Sequence, residues 1–375
     1  MRFWIYLFVI TLFACQTESK TAKILSKKVI GKVPPRKHFQ IIKEKNYFII
    51  EINTPFVEGD FTERYIAYPK ETERPDLDSV THYIPYPINS LAVTSTTHVG
   101  FLSAINGLDF IKASNNIDWV YNPDFHNLVK QGSIISIGNR DLNQEELVNS
   151  EVDVVLSYAI DASNYQQIRR WRELGQKVVL ISEFMEQDPL NKAAWLEVIG
   201  LLIGKQKESI DYLTRLNHDY DSLKMNAMYS SQASSLFMGF PWKGTWYMSG
   251  GKSFQAKLFK DAQGYYLWAD SPKESGMPLN VETVIEKAIN ADVWLNTNSI
   301  NSLEEIKESD ERFTAFKAFK SGRVYNFNKR VNKSGGNDYW ESGVVHPDWI
   351  LRDLVKIFHP IFAKDYEFIY YQQLK

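Results

Sequence analysis

Gly250-Gly251-Lys252-Ser253 ends as a phosphate-binding loop ends, and it is the first group of residues to test for chemistry. A nucleotide loop needs a glycine four residues before its Gly-Lys-Ser/Thr, because backbone N–H groups must cradle the phosphates. That position is Trp246, whose side chain would crowd the cradle. The stretch "GTWYMS" before the loop is also too polar and aromatic to read as the buried apolar strand such a loop follows, so nucleotide binding is set aside. The glycine pair instead predicts a turn with positive φ, with Lys252 or Ser253 opening a helix. What stands out around it is aromatic: Trp242, Trp246, Tyr247, Tyr266 and Trp268, joined further on by Tyr339 and Trp340. Rings give broad, rigid contact at low entropy cost and suit a large flat or catechol-bearing ligand. These seven are the candidate wall of a ligand cleft, with core packing the alternative for any one of them. His98, Arg140, Arg330 and Lys333 are the polar candidates, the cations for anionic ligand groups.

Enzyme chemistry finds little support. The seven histidines show no zinc spacing such as His-Glu-x-x-His. There is no Gly-x-Ser-x-Gly elbow, so no catalytic or metal residue is assigned and no cofactor is expected. A pair of carboxylates for glycoside hydrolysis cannot be read from spacing, and a surface lipoprotein hydrolase stays open as the alternative of another class, beside a structural or adhesive role. The chain has 375 residues and a formal charge of −2, with no basic field to draw it to nucleic acid. Its 10 Trp and 20 Tyr favour recognition over plain packing.

The N-terminus supplies an address. Arg2 precedes an apolar run, Phe3 to Ala14, too short to span a bilayer and shaped like a secretory signal. It ends in Leu12-Phe13-Ala14-Cys15, which resembles a bacterial lipobox, in which the cysteine becomes a lipidated first residue. Cys15 is the sole cysteine, so no internal disulfide supports the fold. Residues 1–15 are thus expected to be a signal and 16–35 a tether.

The elements that must position these residues alternate. "YFIIEI", "RYIAYP" and "HYIPYP" are short strands in a strand-rich extension. Strand–helix alternation follows through "LAVTSTTHVGFLSAING", "IISIG", "DVVLSY" and "KVVLIS". It resumes after residue 229 with "SSLFMGF", "ADVWLN" and "RVYNF", and ends in a helix near 346–358. Such alternation predicts an α/β fold with mostly parallel sheets. Between the two regions, residues 190–228 keep a helical apolar period, interruptible at Gly200 and Gly204. Unbroken, that rod would span roughly 55 Å. The resulting division is a lobe over 36–188, a linking helix over 189–228 and a second lobe over 229–375, with ligand between the lobes. "LNQEELVNSEVDVVLSY" and "LNVETVIEKAINADVWLN" echo one another, each a capped helix leading through Asp-Val into a strand. Asn143 and Asn280 are the expected caps. Glu145 and Glu282 fall in the first turns, where the helix dipole favours a carboxylate.

In this order the lipobox, "STTHVGFLSAING", the Asn-x-Glu helix before an Asp-Val strand, the long linking helix and the terminal "HPDWILRDLVKIFHP" resemble the substrate-binding lipoproteins of bacterial ABC importers for iron–siderophore complexes and vitamin B12. The resemblance covers about residues 79–375, and "WYMSGGKS", "GNDYWE" and "PLNKAAW" resemble a Bacteroidetes-type branch. It implies two α/β lobes bridged by one rigid helix, a ferric siderophore, corrinoid or haem in the cleft, and a monomer held by lipid on the periplasmic side of the envelope. It also implies that Glu145 and Glu282 dock onto arginines of the permease dimer. The extension at 36–78 is longer than a minimal member needs and is expected to add a small sheet to the first lobe. If the lipobox is read correctly, Cys15→Ser moves the protein from the membrane to the soluble fraction on cell fractionation; unchanged sedimentation with membranes would exclude it.

Overall fold

The computed structural model describes residues 38–77, 82–139, 141–229, 233–361 and 365–375. Cys15 and Arg140 lie outside these residues, as do the whole expected signal and tether.

The extension forms a four-stranded sheet of β1 (Phe39–Lys43), β2 (Phe48–Asn53), β3 (Thr62–Pro69) and β4 (His82–Tyr86), in that order. Strands β1 to β3 are antiparallel, and β4 joins β3 in parallel. Its inner face is sealed to the lobe by rings and by charge. Phe39 stacks at 4.7 Å from Trp195, and Phe56 lies 5.3 Å from Tyr165. Buried Glu63 accepts from both Arg172 Nη atoms, at 2.8 and 2.9 Å, from Tyr165 Oη at 2.5 Å and from Tyr65 Oη.

The N-terminal lobe proper holds β5 (Leu91–Val93), α1 (Thr96–Ala104), β6 (Ile111–Ser114), α2 (Pro123–Lys130), β7 (Ile135–Ser136), α3 (Gln144–Asn149), β8 (Val154–Ser157), α4 (Ala162–Glu173) and β9 (Val178–Leu180). The sheet is wholly parallel, in the order β7-β6-β5-β8-β9. Strands β5, β8 and β9 are buried throughout, as strands covered on both faces must be, while edge strand β7 is exposed.

The linking segment departs from the expected single rod. It is three helices, α5 (Pro189–Ala194), α6 (Leu196–Leu202) and α7 (Gln206–Met228). The break before α7 is at Gly204, whose φ of 75° is open to glycine at little cost. Gly200 lets α6 pack directly on α7, since a Cβ there would stand 2.5 Å from Ser209 Oγ. What remains as a rod is α7, about 35 Å long.

The C-terminal lobe holds β10 (Ser235–Met238), β11 (Pro241–Trp242), β12 (Thr245–Ser249), α8 (Phe254–Asp261), β13 (Tyr265–Tyr266), β14 (Gly276–Asn280), α9 (Val281–Ala288), β15 (Val293–Leu295), α10 (Leu303–Ser309), α11 (Lys317–Lys320), β16 (Val324–Asn326), α12 (Asp338–Glu341), α13 (Pro347–Phe358) and β17 (Gln372–Gln373). Its main sheet runs β13-β10-β15-β16-β17, parallel except for β17. Strands β11, β12 and β14 form a separate antiparallel sheet.

The lobes have two distinct cores. One runs from Phe39 to Leu216 and takes in Val344 and Val345; the other runs from Tyr220 to Leu374. A stretch of the second lobe therefore reaches into the core of the first, so the linking helices are not the sole bridge. No helix among the described residues is long and apolar enough to cross a membrane.

The Glu63 cluster fixes the extension to α4 and yields a pH signature. Burial disfavours the Glu63 carboxylate, but the Arg172 and tyrosine bonds outweigh it and hold the pKa below its ordinary value of 4.5. Glu63→Gln leaves Arg172 buried and unpaired, and should cost about 3 kcal/mol in chemical denaturation. The depressed pKa means this contribution is present above pH 4.5 and fades as pH falls through the folded-state value. The gap between wild type and variant should therefore narrow in acid; a gap independent of pH would show that the ion pair is not its source.

Candidate functional site

The first lobe's sheet reverses strand order between β5 and β8, the place where open α/β sheets bind ligands beyond their carboxyl ends. A cavity of ≈ 620 Å³ lies beyond those ends and is lined from both lobes. Ser95, Thr96 and Thr97 reach it from the start of α1, where Ser95 Oγ caps the helix by accepting from Thr97 N–H. Tyr158 and Ile160 follow β8, and Glu183 and Phe184 follow β9. Lys192 of α5, Phe254 of α8, and Tyr339 and Trp340 of α12 close the other sides.

The wall is aromatic. Tyr158 and Phe184 meet edge to face at 6.3 Å, and Tyr339 and Trp340 stand perpendicular at 4.8 Å. Tyr339 also stacks on Phe327 at 4.6 Å, which holds it in place, while Trp340 remains 45% exposed. Two opposite charges sit in this apolar wall. Burial raises the Glu183 carboxyl, against the pull of Lys192 and a bond from Thr97. Burial likewise lowers the Lys192 amine, against the pull of Glu183 and Glu186. Glu183 Oε2 is buried without a hydrogen-bond partner, and Lys192 Nζ lies 5.0 Å from the Phe254 ring centre.

The residues named from sequence divide sharply. Tyr339 and Trp340 line the cavity. Trp246 does not: it is fully buried among Phe237, Phe240, Trp294, Phe313 and Phe316, and its Nε1 donates to Met238 O at 2.8 Å. Tyr266 and Trp268 are also in the second lobe's core, Tyr266 donating to Ser249 O at 2.5 Å. Tyr247 and Trp242 are 52% and 63% exposed on the small antiparallel sheet, with Lys243 Nζ 4.5 Å from the Trp242 ring centre. None of these five lines the cavity. Their grouping by sequence proximity fails because β12 is a strand: its alternation sends Trp246 and Met248 into the core and Tyr247 outward.

His98 is also absent from the lining. It is fully buried, neither ring nitrogen has a partner, and burial pushes its pKa down to about 3. Arg330 is held by Asp338 at 2.9 Å and lies 5.2 Å from the Tyr121 ring centre, so its charge is already engaged; Lys333 is exposed. Gly250 and Gly251 are not among the positive-φ glycines. Their need is close approach: a Cβ would stand 2.2 Å from Lys273 O at one and 2.2 Å from Ala269 O at the other. Ser253 caps α8.

Glu145 and Glu282 are exposed in the first turns of α3 and α9. Asn143 caps α3 through both Glu145 and Glu146 N–H, whereas Asn280 makes no such bond. Glu282 is paired with Arg312 at 3.1 Å. The strand end at Tyr158, expected from sequence to face ligand, does line the cavity, whereas sequence reading missed Phe184, Glu183 and Lys192. A recognisable signal was the polar pair Ser182-Glu183 directly after the apolar run "KVVLI", at a strand's carboxyl end. Among the described residues no group of three or more His, Cys, Asp or Glu could hold a metal ion.

Residues 172–331 match the family described as periplasmic binding protein. About three quarters of the chain shares its fold with solved periplasmic solute-binding proteins. A possible iron-binding, periplasmic solute-binding protein of Staphylococcus epidermidis superposes with a TM-score of 0.58 at 18% identity, covering 72% of this chain and 98% of that one. The triscatecholate siderophore-binding protein of Bacillus subtilis, complexed with ferri-bacillibactin, gives 0.54 at 14% identity, covering 76% and 97%. An uncharacterised lipoprotein of Methanocaldococcus jannaschii is 26% identical over 288 residues, 74% of this chain and 66% of that relative.

The split between buried and cavity-lining rings gives a direct test. Trp246→Ala should cost about 3–5 kcal/mol of stability, as large buried aromatics do, and leave ligand affinity in the folded fraction unchanged. A stable variant with lost affinity would return Trp246 to the binding wall.

Proposed function

We propose that this binding-protein chain captures an iron(III)–siderophore complex, or a related metal chelate, outside the cytoplasm and passes it to an ABC importer permease. The observation that carries this reading is the cavity itself: ≈ 620 Å³, between two lobes, walled by Tyr158, Phe184, Phe254, Tyr339 and Trp340. A flat or catechol-rich chelate gains contact area on every side from such rings. The names of the structurally similar proteins, one possibly iron-binding and one triscatecholate siderophore-binding, support the same class. Anchoring through Cys15 and docking through Glu145 and Glu282 complete the proposal.

A second reading, a corrinoid, draws on the charge of the wall. Among the lining residues Glu183 and Lys192 carry opposite formal charges. A highly anionic complex finds one cation here, already facing one anion. A ligand edged with neutral amides could donate to Glu183 and accept from Lys192 together. Haem, with its flat ring and carboxylates, is the third ligand of this type.

Titration of the purified protein with a ferric tris-catecholate, cobalamin and haem, followed by tryptophan fluorescence, separates the three. One of them should bind, and ATP should not. Trp340→Ala should weaken the bound chelate about thirtyfold, the effect of losing about 2 kcal/mol of aromatic contact. Lys192→Met should weaken an anionic chelate more than a neutral one. Failure of all three ligands to bind would remove the chelate reading.

A further inference from the structure

Between the two cores runs the segment 327–350, and it crosses the lobe boundary twice. Phe327 and Tyr339 belong to the second lobe's core, Val344 and Val345 to the first, and Ile350 again to the second. At its turning point lies Glu341, 2% exposed. Its Oε2 accepts from Tyr121 N–H at 2.6 Å and its Oε1 from Asn122 N–H at 2.9 Å. Both amides belong to the first lobe, in the loop leading into α2. The carboxylate thus forms a two-pronged bond from one lobe to the other's backbone.

The surroundings are built for this approach. Asn332 Nδ2 donates to Asp118 O and Val120 O, each at 2.9 Å, in the same loop. Two glycines remove the side chains that would hold the strands of chain apart. A Cβ on Gly336 would stand 2.0 Å from Trp119 O, and one on Gly100 would stand 2.2 Å from Glu341 O. The same short helix that ends in Glu341 carries Tyr339 and Trp340 into the cavity.

We propose that Glu341 is a positioning residue for binding: by clasping the first lobe's 121–122 backbone it holds the Tyr339–Trp340 wall across the cavity, and the clasp must loosen before ligand can leave. The proposal rests on reading the cavity as the ligand site. Its physical basis is geometric: each carboxyl oxygen accepts one backbone N–H of the other lobe. Burial pushes the Glu341 pKa up to about 8 while the two amides pull it down, and the ionised form is the stronger acceptor. Leaving the two buried N–H donors unpaired carries a penalty of its own.

Glu341→Gln tests it, since the amide keeps the side chain's size but sets an N–H₂ against one of the donors. Glu341→Asp serves as the second variant, keeping the charge one methylene short. The first measurement is amide hydrogen exchange without ligand. Exchange at Tyr121 and Asn122 should quicken about tenfold in Glu341→Gln, the loss of one such bond, and less in Glu341→Asp. Amides of the β10–β15 pair should keep their rates. The second is stopped-flow binding of a ferric tris-catecholate, in which the off-rate should rise about tenfold with the on-rate unchanged. Unchanged exchange at residues 121–122 overturns the clasp. Quickened exchange throughout the protein overturns it too, by showing a merely structural role, and an unchanged off-rate overturns the control of release. If wild type binds no probe, the reading of the cavity fails separately and the exchange data alone decide the clasp.

Discussion

Helix α7 is buried in two cores at once, and the binding cavity depends on that. Leu213 and Leu216 pack into the first lobe, while Tyr220 and Ala227, one and three turns further on, pack into the second. A helix cannot shorten or kink sharply without breaking its own hydrogen bonds, so it sets the separation of the lobes. Each end is also fastened by polar groups. Tyr212 Oη donates to Val345 O at 2.8 Å, and Tyr220 Oη donates to buried Asp261, which also meets Lys224 and Lys257. Two cores that would otherwise gain by merging are held apart, and the space between them remains as a crevice rather than becoming core.

That separation explains why charged groups can sit in the cavity wall. A carboxylate with a bare oxygen, such as Glu183, would be costly in the centre of either core. Beside Lys192 and the Thr97 hydroxyl its charge has partial compensation. The remaining deficit is one that a ligand's donor group can satisfy. The cavity therefore pairs an apolar, aromatic wall with two opposite polar points, Glu183 and Lys192.

Much of the architecture was legible in sequence because it follows from local pattern. The apolar runs "LAV", "VVLS" and "VVL" are the covered strands, and the helix of each echo has its place before β8 and β15, though only the first is capped by its asparagine. The extension's three strand runs correspond to β2, β3 and β4. The linking segment was harder. Apolar residues recur at helical spacing both before Gly204, at Trp195, Ile199 and Leu202, and after it, at Leu213, Leu216 and Tyr220, so periodicity alone does not reveal the break. The site was read least well, because the residues that line it come from seven separated places in the chain. Only the folded topology brings Phe184, Lys192 and Trp340 together.

The aromatic stretch shows why composition points to a function without locating it. Trp246 and Trp340 are the same residue, each beside a tyrosine, and each was a fair candidate for the wall. Trp246 sits in a strand whose inner face is the core, and its indole N–H is satisfied by Met238 O. Trp340 sits on a helix of four residues, too short to bury both its faces, and the neighbouring Tyr339 takes the inward place against Phe327. The second ring is left outside the core, and in this chain the outside of that helix is the cavity. The difference between a core tryptophan and a cavity-lining one here is thus the length and period of the element that carries it.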